Sequence, residues 1–221
     1  MLNTRLAVFD LDGTLIDSRR DLADSANEML AGYGAAPLDE ERIASMVGWG
    51  AATLVKQVVT AAGLDVSVDE ALLRFFAAYD QRLTRHTRPY DGVPALLDAL
   101  RAEGVAMALL TNKPLGQSVR ILDEFGLSTH FRWLVGGDGP LARKPQPDGI
   151  RFLMHQADAG SSETLLIGDS AIDLQTSRNA GVRICLARYG FGFAGVPSGD
   201  LRGDEWLVDS PAEIAGAVHA D

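Results

Sequence analysis

One apolar stretch near the amino terminus decides the fold: Leu6-Ala7-Val8-Phe9-Asp10-Leu11-Asp12-Gly13-Thr14-Leu15. Its first four residues favour a buried strand, which ends at two carboxylates one residue apart. A glycine and a threonine follow them. We therefore expect Asp10 and Asp12 to leave the core at the carboxyl end of a strand, the edge at which open α/β sheets bind ligands.

The two acids have two chemical interpretations. Asp10 and Asp12 would repel each other on one side of a loop unless a cation or a metal-bound phosphate compensates them. Mg²⁺ suits this role because it prefers a few oxygen ligands together with water and substrate phosphate, and an aspartate can also act as a nucleophile. Asp-Gly is also a common turn dipeptide, so the acids could merely cap a turn. The stretch alone leaves both interpretations open.

Composition limits the class of protein. The chain has 221 residues, of which 47% are hydrophobic and 23% charged, which fits one large domain or a domain with an insertion. The formal net charge of -10 disfavours nucleic acid and anionic membranes as partners. An anionic substrate would therefore need a local basic patch or a metal.

Cysteine usage and hydropathy predict a location. Cys185 is the single cysteine, which excludes an intramolecular disulfide and fits a reducing compartment. No segment approaches eighteen consecutive apolar residues, and the amino terminus lacks the pattern of a signal peptide. We expect a cytoplasmic protein without a membrane span.

A helical pattern occupies residues 18–87. Apolar residues recur there at helical spacing, and glycine-containing breaks divide the stretch into about four helices. We predict an all-helical cap at 18–87, inserted into an α/β catalytic core made of residues 1–17 and 88–221. After Gly92, short apolar strands alternate with helices, which favours a doubly wound parallel sheet. A loop is predicted from Gly190 to Gly203.

The second informative stretch is Ala108-Leu109-Leu110-Thr111-Asn112-Lys113. A threonine hydroxyl and backbone N–H groups at the end of a strand can donate to a phosphate oxygen. The alternative is that Thr111 caps the helix beginning near Pro114.

The third stretch is Arg143-Lys144-Pro145-Gln146-Pro147. A lysine beside two prolines is held on a stiff segment at a helix start. Most lysines are solvated surface charges, but two aspartates and a phosphate dianion need more positive charge than one Mg²⁺ supplies. Arg143 is interpreted as a surface neighbour.

The fourth stretch, Leu165-Leu166-Ile167-Gly168-Asp169-Ser170-Ala171-Ile172-Asp173, repeats the design of the first. A buried strand again ends in an acid, and a second acid follows one helical turn later. The alternative is a helix cap with Asp173 in the first turn, where acids are favoured.

These four stretches, in this order, resemble the signatures of the haloacid dehalogenase superfamily in its phosphatase form. The resemblance covers nearly the whole chain and implies a Rossmann-like core with an inserted cap. It implies that Asp10 attacks phosphorus and becomes an aspartyl phosphate, while Asp12 protonates the leaving alcohol and then activates water. The implied Mg²⁺ ligands are an Asp10 oxygen, the Asp12 backbone carbonyl and Asp169. The implied phosphate contacts are Thr111, Asn112 and Lys144.

The resemblance leaves the role of Asp173 open between a ligand through water and an acceptor that orients Lys144 or Ser170. An aspartate at position 12 favours phosphoryl transfer over dehalogenation. Within the superfamily, the cap placement, Val47-Gly48-Trp49-Gly50 and Arg188-Tyr189-Gly190-Phe191-Gly192 are most similar to phosphoglycolate phosphatases. Three positions depart from that pattern: Trp49, Asp91 and Gln146.

We therefore expect a Mg²⁺-dependent phosphomonoesterase whose partner is a small phosphorylated metabolite such as 2-phosphoglycolate. A sugar-phosphate mutase of the same superfamily and a non-enzymatic phosphate-ligand binding protein are the alternatives. Specificity is expected in the cap, where Trp49 either contacts substrate or packs. A monomer and a homodimer both remain open.

Overall fold

The computed structural model describes residues 4–219. Its strands are β1 (Leu6–Phe9), β2 (Ile16–Asp17), β3 (Arg88–Pro89), β4 (Ala106–Leu110), β5 (Trp133–Val135), β6 (Thr164–Gly168), β7 (Arg183–Ala187) and β8 (Trp206–Val208). Six of them form one sheet in the order β5-β4-β1-β6-β7-β8, and every neighbouring pair is parallel. The chain adds strands on one side of β1 and then on the other, so β1 lies at the switch of direction where such sheets bind ligands.

The helices are α1 (Arg19–Ala31), α2 (Glu40–Ala44), α3 (Ala51–Ala61), α4 (Val68–Tyr79), α5 (Val93–Ala102), α6 (Leu115–Glu124), α7 (Asp148–Ala157), α8 (Ala171–Ala180) and α9 (Ile214–His219). Buried residues of α5, α6 and α9 join one hydrophobic cluster, and those of α7 and α8 join another. Helices therefore cover both faces of the sheet, and the predicted doubly wound α/β fold is confirmed.

Strand β1 shows how the sequence builds these two layers. Successive side chains of a strand point to opposite faces. Ala7 and Phe9 accordingly lie in the first cluster, whereas Leu6 and Val8 lie in the second. All four are fully buried, which explains the continuous apolar run in the sequence.

Four helices, α1 to α4, lie between β2 and β3, within the segment 18–87 for which the sequence predicts the cap; hereafter this segment is called the cap. α1 packs against α2 and α4, and α3 packs against α4. The short strands β2 and β3 pair antiparallel where the cap leaves the core and returns to it. Division of the chain into two domains stays a prediction.

A buried carboxylate closes the base of the cap. Asp21 accepts hydrogen bonds from the His86 and Thr87 backbone N–H groups, at 2.8 and 2.7 Å, and from the Thr87 hydroxyl at 2.8 Å. These bonds join the first helix of the cap to its last residues.

The structure adds details that the sequence did not predict. Two-residue strands such as β2 and β3 leave no periodic signal. The predicted loop at 190–203 contains two 3₁₀ turns, Phe193–Gly195 and Ser198–Asp200. The predicted core segments include residues 1–3 and 220–221, which lie outside the described residues. Within the described part of the chain, no helix has the length and apolar character needed to cross a membrane.

Candidate active site

Three polar residues of the site follow three adjacent strands. Asp10 follows β1, Thr111 follows β4 and Asp169 follows β6. Because these strands are parallel neighbours, their carboxyl ends meet at one edge of the sheet. The hydrogen bonds between β1 and β6 continue to Asp10, whose N–H donates to the Ile167 carbonyl at 2.9 Å.

Three buried carboxylates meet at this edge. Asp10, Asp169 and Asp173 offer oxygen atoms that all lie within 4.8 Å of one another. Burial raises the pKa of Asp10 to about 6, and the charge of Asp173 adds to the rise while Lys144 opposes it. Burial, with the charges of Asp173 and Asp10, also raises the pKa of Asp169 well above its usual value. Clustered carboxylates short of positive charge are the donor set that a hard divalent cation takes.

Lys144 supplies one positive charge to this cluster. Its ammonium nitrogen lies 2.9 Å from Asp10 Oδ1 and 2.6 Å from Asp173 Oδ1, and only 2% of its side chain is exposed. Burial alone would lower the pKa of Lys144, but the two carboxylates hold it above its usual value. The lysine therefore stays charged beside the expected nucleophile.

Asp173 is held from its other side by the start of α8. Its Oδ2 accepts the Ser170 hydroxyl at 2.6 Å and the Ser170 backbone N–H at 3.1 Å. Ser170 in return is the N-cap of α8. Asp173 thus accepts hydrogen bonds from both Lys144 and Ser170, and its role as an orienting acceptor or as a ligand through water stays a prediction.

The loop after β1 passes directly against Asp169. Gly13 has φ +89°, and a Cβ at this position would lie 2.0 Å from Asp169 Oδ2. The glycine is therefore required both by its backbone conformation and by the close approach. Asp169 also accepts the Gly192 N–H at 2.8 Å, which fixes the carboxylate from the opposite loop.

Asp12 has a cationic partner to which the sequence analysis gave no role. Lys113 Nζ lies 2.8 and 3.0 Å from the two carboxylate oxygens of Asp12. The Ser18 hydroxyl donates to the same carboxylate at 2.6 Å. The Lys113 side chain is 4% exposed, and its ammonium lies 4.7 Å from the ring centroid of Tyr79, at the end of α4. The one indirect signal for Lys113 in the sequence was the scarcity of lysine, since the chain contains three. Two of them, Lys113 and Lys144, are buried at this site.

The carboxamide of Asn112, which lines the same edge of the sheet, is bound by backbone groups. Its Oδ1 accepts the Lys144 N–H at 2.9 Å, and its Nδ2 donates to the carbonyls of Lys144 and Gly48 at 3.0 and 2.9 Å. The carboxamide is thus engaged with backbone at both ends, and the contact of Asn112 with phosphate stays a prediction. It links the loop after β4 to the Lys144 segment and to the cap.

A cavity of about 40 Å³ lies between this edge and the cap. Asp10, Asp12, Thr111 and Lys113 line its polar side. The cap contributes an apolar wall of Leu22, Val47, Leu54, Phe75 and Tyr79. A water molecule needs roughly 10–15 Å³ on this measure, so the cavity admits a small molecule.

Trp49, which is expected either to contact substrate or to pack, lies in a turn between two glycines of the cap. Gly48 and Gly50 line the cavity, but Trp49 does not. Positive φ angles of +117° and +90° at the two glycines turn the chain so that the backbone faces the cavity and the indole faces away. Trp49 is 46% exposed and lies in an outer depression with Ser170 and Phe191.

The order of the acids, the two lysines and the cap agree with a known family. A model of the haloacid dehalogenase-like hydrolase family matches residues 7–187. The chain belongs to this family. Among curated relatives of this hydrolase, the plasmid phosphoglycolate phosphatase of Cupriavidus necator is 38% identical over 222 residues, covering 96% of this chain and 95% of the relative. A phosphoglycolate phosphatase of Pseudomonas syringae pv. syringae is 42% identical over 193 residues, covering 85% of this chain and 70% of the relative.

Solved structures of similar proteins agree with the fold of this haloacid dehalogenase-like hydrolase. The crystal structure of a protein described as a predicted phosphoglycolate phosphatase, from Haemophilus somnus, matches with a TM-score of 0.91 at 28% identity. The match covers 97% of this chain and 98% of that one. A second, described as a putative phosphoglycolate phosphatase from Lactobacillus delbrueckii, has a TM-score of 0.85 at 24% identity and covers 99% and 100% of the two chains.

Proposed function

We propose that this hydrolase is a Mg²⁺-dependent phosphomonoesterase that works through an aspartyl phosphate on Asp10 and acts on a small substrate such as 2-phosphoglycolate. One observation carries the proposal: Asp10 is buried at the carboxyl end of the central strand with Lys144 at 2.9 Å and two further carboxylates beside it. A nucleophile of this kind needs charge compensation when a phosphate dianion approaches it.

The proposed reaction has two steps. A carboxylate oxygen of Asp10 forms a bond to phosphorus as the bond to the ester oxygen breaks, and Asp12, which enters this step as the carboxylic acid, gives its proton to the leaving alkoxide. Asp12 then takes a proton from a water molecule, which attacks phosphorus, releases inorganic phosphate and regenerates the Asp10 carboxylate. Lys144 compensates the developing charge, and the Thr111 hydroxyl donates to a phosphoryl oxygen.

The buried acid cluster fits a hard cation. Asp10, Asp169 and the backbone carbonyl of Asp12 would hold Mg²⁺ in this proposal, with Asp173 kept for Lys144 and Ser170. When bound, the ion supplies positive charge to the phosphoryl oxygens. The raised pKa values of Asp10 and Asp169 support this assignment, because such carboxylates gain most from a nearby cation.

Two observations support a small substrate. The cavity has a volume of about 40 Å³, which fits a small ester better than a nucleotide. Relatives at 38% and 42% identity carry the name phosphoglycolate phosphatase. We therefore extend that substrate to this chain as a proposal.

The test is phosphate release from 2-phosphoglycolate, a sugar phosphate, a nucleotide and pyrophosphate, with and without Mg²⁺. We expect 2-phosphoglycolate to be the best substrate and Mg²⁺ to be required. Asp10→Asn should abolish turnover while the fold is retained, because the amide is a poor nucleophile of nearly equal volume. Asp123→Asn, at an exposed position of α6, is the matched control. Wild-type activity in Asp10→Asn would refute the mechanism, and isomerised sugar phosphate in excess of free phosphate would indicate a mutase.

A further inference from the structure

The cavity beneath the cap has an uneven charge distribution. Asp10 and Asp12 are its acids, and Lys113 is the one cationic side chain among the described residues that line it. Lys144 already faces two carboxylates, Asp10 and Asp173, whereas Lys113 faces Asp12 alone. A second anion entering the cavity would therefore find its positive charge at Lys113.

Lys113 also has the hydrogen-bonding capacity for such a ligand. An ammonium carries three N–H donors, and the two oxygens of Asp12 engage at most two of them. The side chain is 4% exposed, and the face of the Tyr79 ring covers it at 4.7 Å. Because burial removes competing water, a charge-assisted hydrogen bond from this ammonium would be strong.

The hydroxyl of Tyr79 gives a second, independent indication. Tyr79 is 1% exposed, lines the same cavity and has no hydrogen-bond acceptor for its hydroxyl among the described residues, since the neighbouring Lys113 ammonium can only donate. Burying an unpaired hydroxyl is unfavourable, and such groups are rare in folded proteins. The neighbouring cap side chains, Phe75 and Leu54, cannot pair with it. A ligand acceptor in the cavity would.

We propose that Lys113 and the Tyr79 hydroxyl form a subsite for a second anionic group of the substrate, a carboxylate carried by the leaving alcohol. This inference rests on the proposed phosphomonoesterase function and names the residues that would select its carboxylated substrate. Asp12, the proton donor to the ester oxygen in that proposal, lies 2.8 Å from Lys113 Nζ. A carboxylate bound at Lys113 would therefore lie close to the ester oxygen. In a phosphorylated 2-hydroxy acid, only a few bonds separate the carboxylate from that oxygen.

Binding tests the subsite without turnover. In Asp10→Asn, the dissociation constants of 2-phosphoglycolate and 2-hydroxyethyl phosphate are measured by calorimetry with Mg²⁺ present. The second ligand keeps the phosphate and chain length but replaces the carboxylate by a neutral group. Adding Lys113→Met should reduce the preference for the carboxylate roughly 30- to 100-fold. Adding Lys56→Met, which removes an exposed cap lysine, should leave the preference unchanged.

Steady-state kinetics then separates two roles of Lys113, the recognition of the substrate carboxylate and the ion pair with Asp12. Lys113→Met is expected to lower kcat on both esters, since it removes the partner of Asp12, but to raise KM mainly for 2-phosphoglycolate. Tyr79→Phe should reduce the carboxylate preference by about 5- to 10-fold with little change in the melting temperature, because the hydroxyl has no protein acceptor. This variant also decides the question if Lys113→Met does not fold.

The outcomes distinguish the two proposals. Equal losses on both ligands in Lys113→Met and Tyr79→Phe would overturn the subsite and leave the phosphatase function standing. Equal kcat/KM values of the wild-type enzyme for 2-hydroxyethyl phosphate and 2-phosphoglycolate would also overturn the subsite and leave the phosphatase function standing. Absence of any phosphate release would refute the proposed function, while the calorimetric preference would still decide whether Lys113 and Tyr79 bind a carboxylate.

Discussion

Lys144 and Asp173 form an ion pair of 2.6 Å in which the two side chains are 2% and 0% exposed. The pair joins the segment before α7 to the first turn of α8, and it aims the ammonium at Asp10. Removing one partner of a buried pair leaves the other charge without compensation, which is far more costly than losing an exposed pair.

We predict that Asp173→Asn destabilises the protein by about 2–4 kcal/mol and lowers kcat, because Lys144 keeps Asp10 as a partner but loses its orientation. Urea unfolding and steady-state kinetics measure the two effects. Glu70→Gln is the control, since its pair with Arg74 is exposed on α4, and it should change neither quantity measurably. Unaltered stability in Asp173→Asn would mean that the pair is not needed to hold Lys144.

The second prediction concerns metal and pH. The pKa of Asp10 is raised to about 6, and that of Asp169 is raised in the same direction. An acid whose pKa is higher in the folded than in the unfolded protein stabilises the fold while it is protonated. This stabilisation is complete below the unfolded-state pKa, near 4, and is lost as pH rises through the folded-state pKa. Metal-free protein should therefore lose stability between pH 4 and pH 7, on the order of 3 kcal/mol from Asp10.

Bound Mg²⁺ would oppose this loss, since it favours the ionised carboxylates. The rise in melting temperature on adding Mg²⁺ should accordingly be small at pH 5 and larger at pH 8. Asp169→Asn, which removes one of the proposed ligands, should abolish most of the difference. A magnesium-induced shift of equal size at both pH values would contradict the assignment of the metal to this cluster.

The sheet and the acids were predictable for the same physical reason. A buried strand must be apolar throughout, so the residues at which Leu6–Phe9 and Thr164–Gly168 end mark the point where polar groups become tolerable. Asp10 and Asp169 stand there, and parallel pairing brings them to one edge. The positions of the two acids in the sequence were sufficient for this prediction, because parallel strands have their carboxyl ends at the same edge of the sheet.

Side chains in the loops were less predictable, because their direction depends on tertiary contacts that leave no local pattern. Thr111, Asn112 and Lys113 are consecutive and all line the cavity, yet the Lys113 ammonium pairs with Asp12 while the carboxamide of Asn112 holds backbone. The pairing of Lys113 with Asp12 spans 101 positions. The direction of the Trp49 side chain was not predictable, because the φ angles of its glycine neighbours, which set that direction, are not encoded by glycine itself.

Asn112 provides the third prediction. Asn112→Asp keeps the acceptor for the Lys144 N–H but replaces the donor by an oxygen that faces the carbonyls of Lys144 and Gly48. We expect a loss of about 1–3 kcal/mol in stability together with a rise in KM, because the link between core and cap is broken. Thermal unfolding and kinetics on 2-phosphoglycolate measure both.

A matched control exists within the cap. Asn27 makes the same kind of contact, donating to the Leu38 carbonyl at 2.9 Å and accepting the Leu38 N–H at 2.8 Å. Asn27→Asp should lower stability by a similar amount while leaving KM unchanged. A rise in KM in both variants would show that the effect comes from general destabilisation rather than from the contact to Gly48.

The last prediction concerns which cap residues select the substrate. Trp49 lies outside the cavity and is 46% exposed, whereas Leu54 is buried and forms part of the cavity wall. Trp49→Ala should therefore leave the ranking of phosphomonoesters by kcat/KM unchanged. Leu54→Ala should enlarge the cavity and favour bulkier esters relative to 2-phosphoglycolate, at a cost of about 2–5 kcal/mol in stability. The measurement is kcat/KM across esters of increasing size, at a temperature where both variants are folded. An altered ranking in Trp49→Ala with none in Leu54→Ala would contradict this prediction. It would mean that the indole moves into the cavity during turnover, and that substrate is selected in an arrangement other than that of this structure.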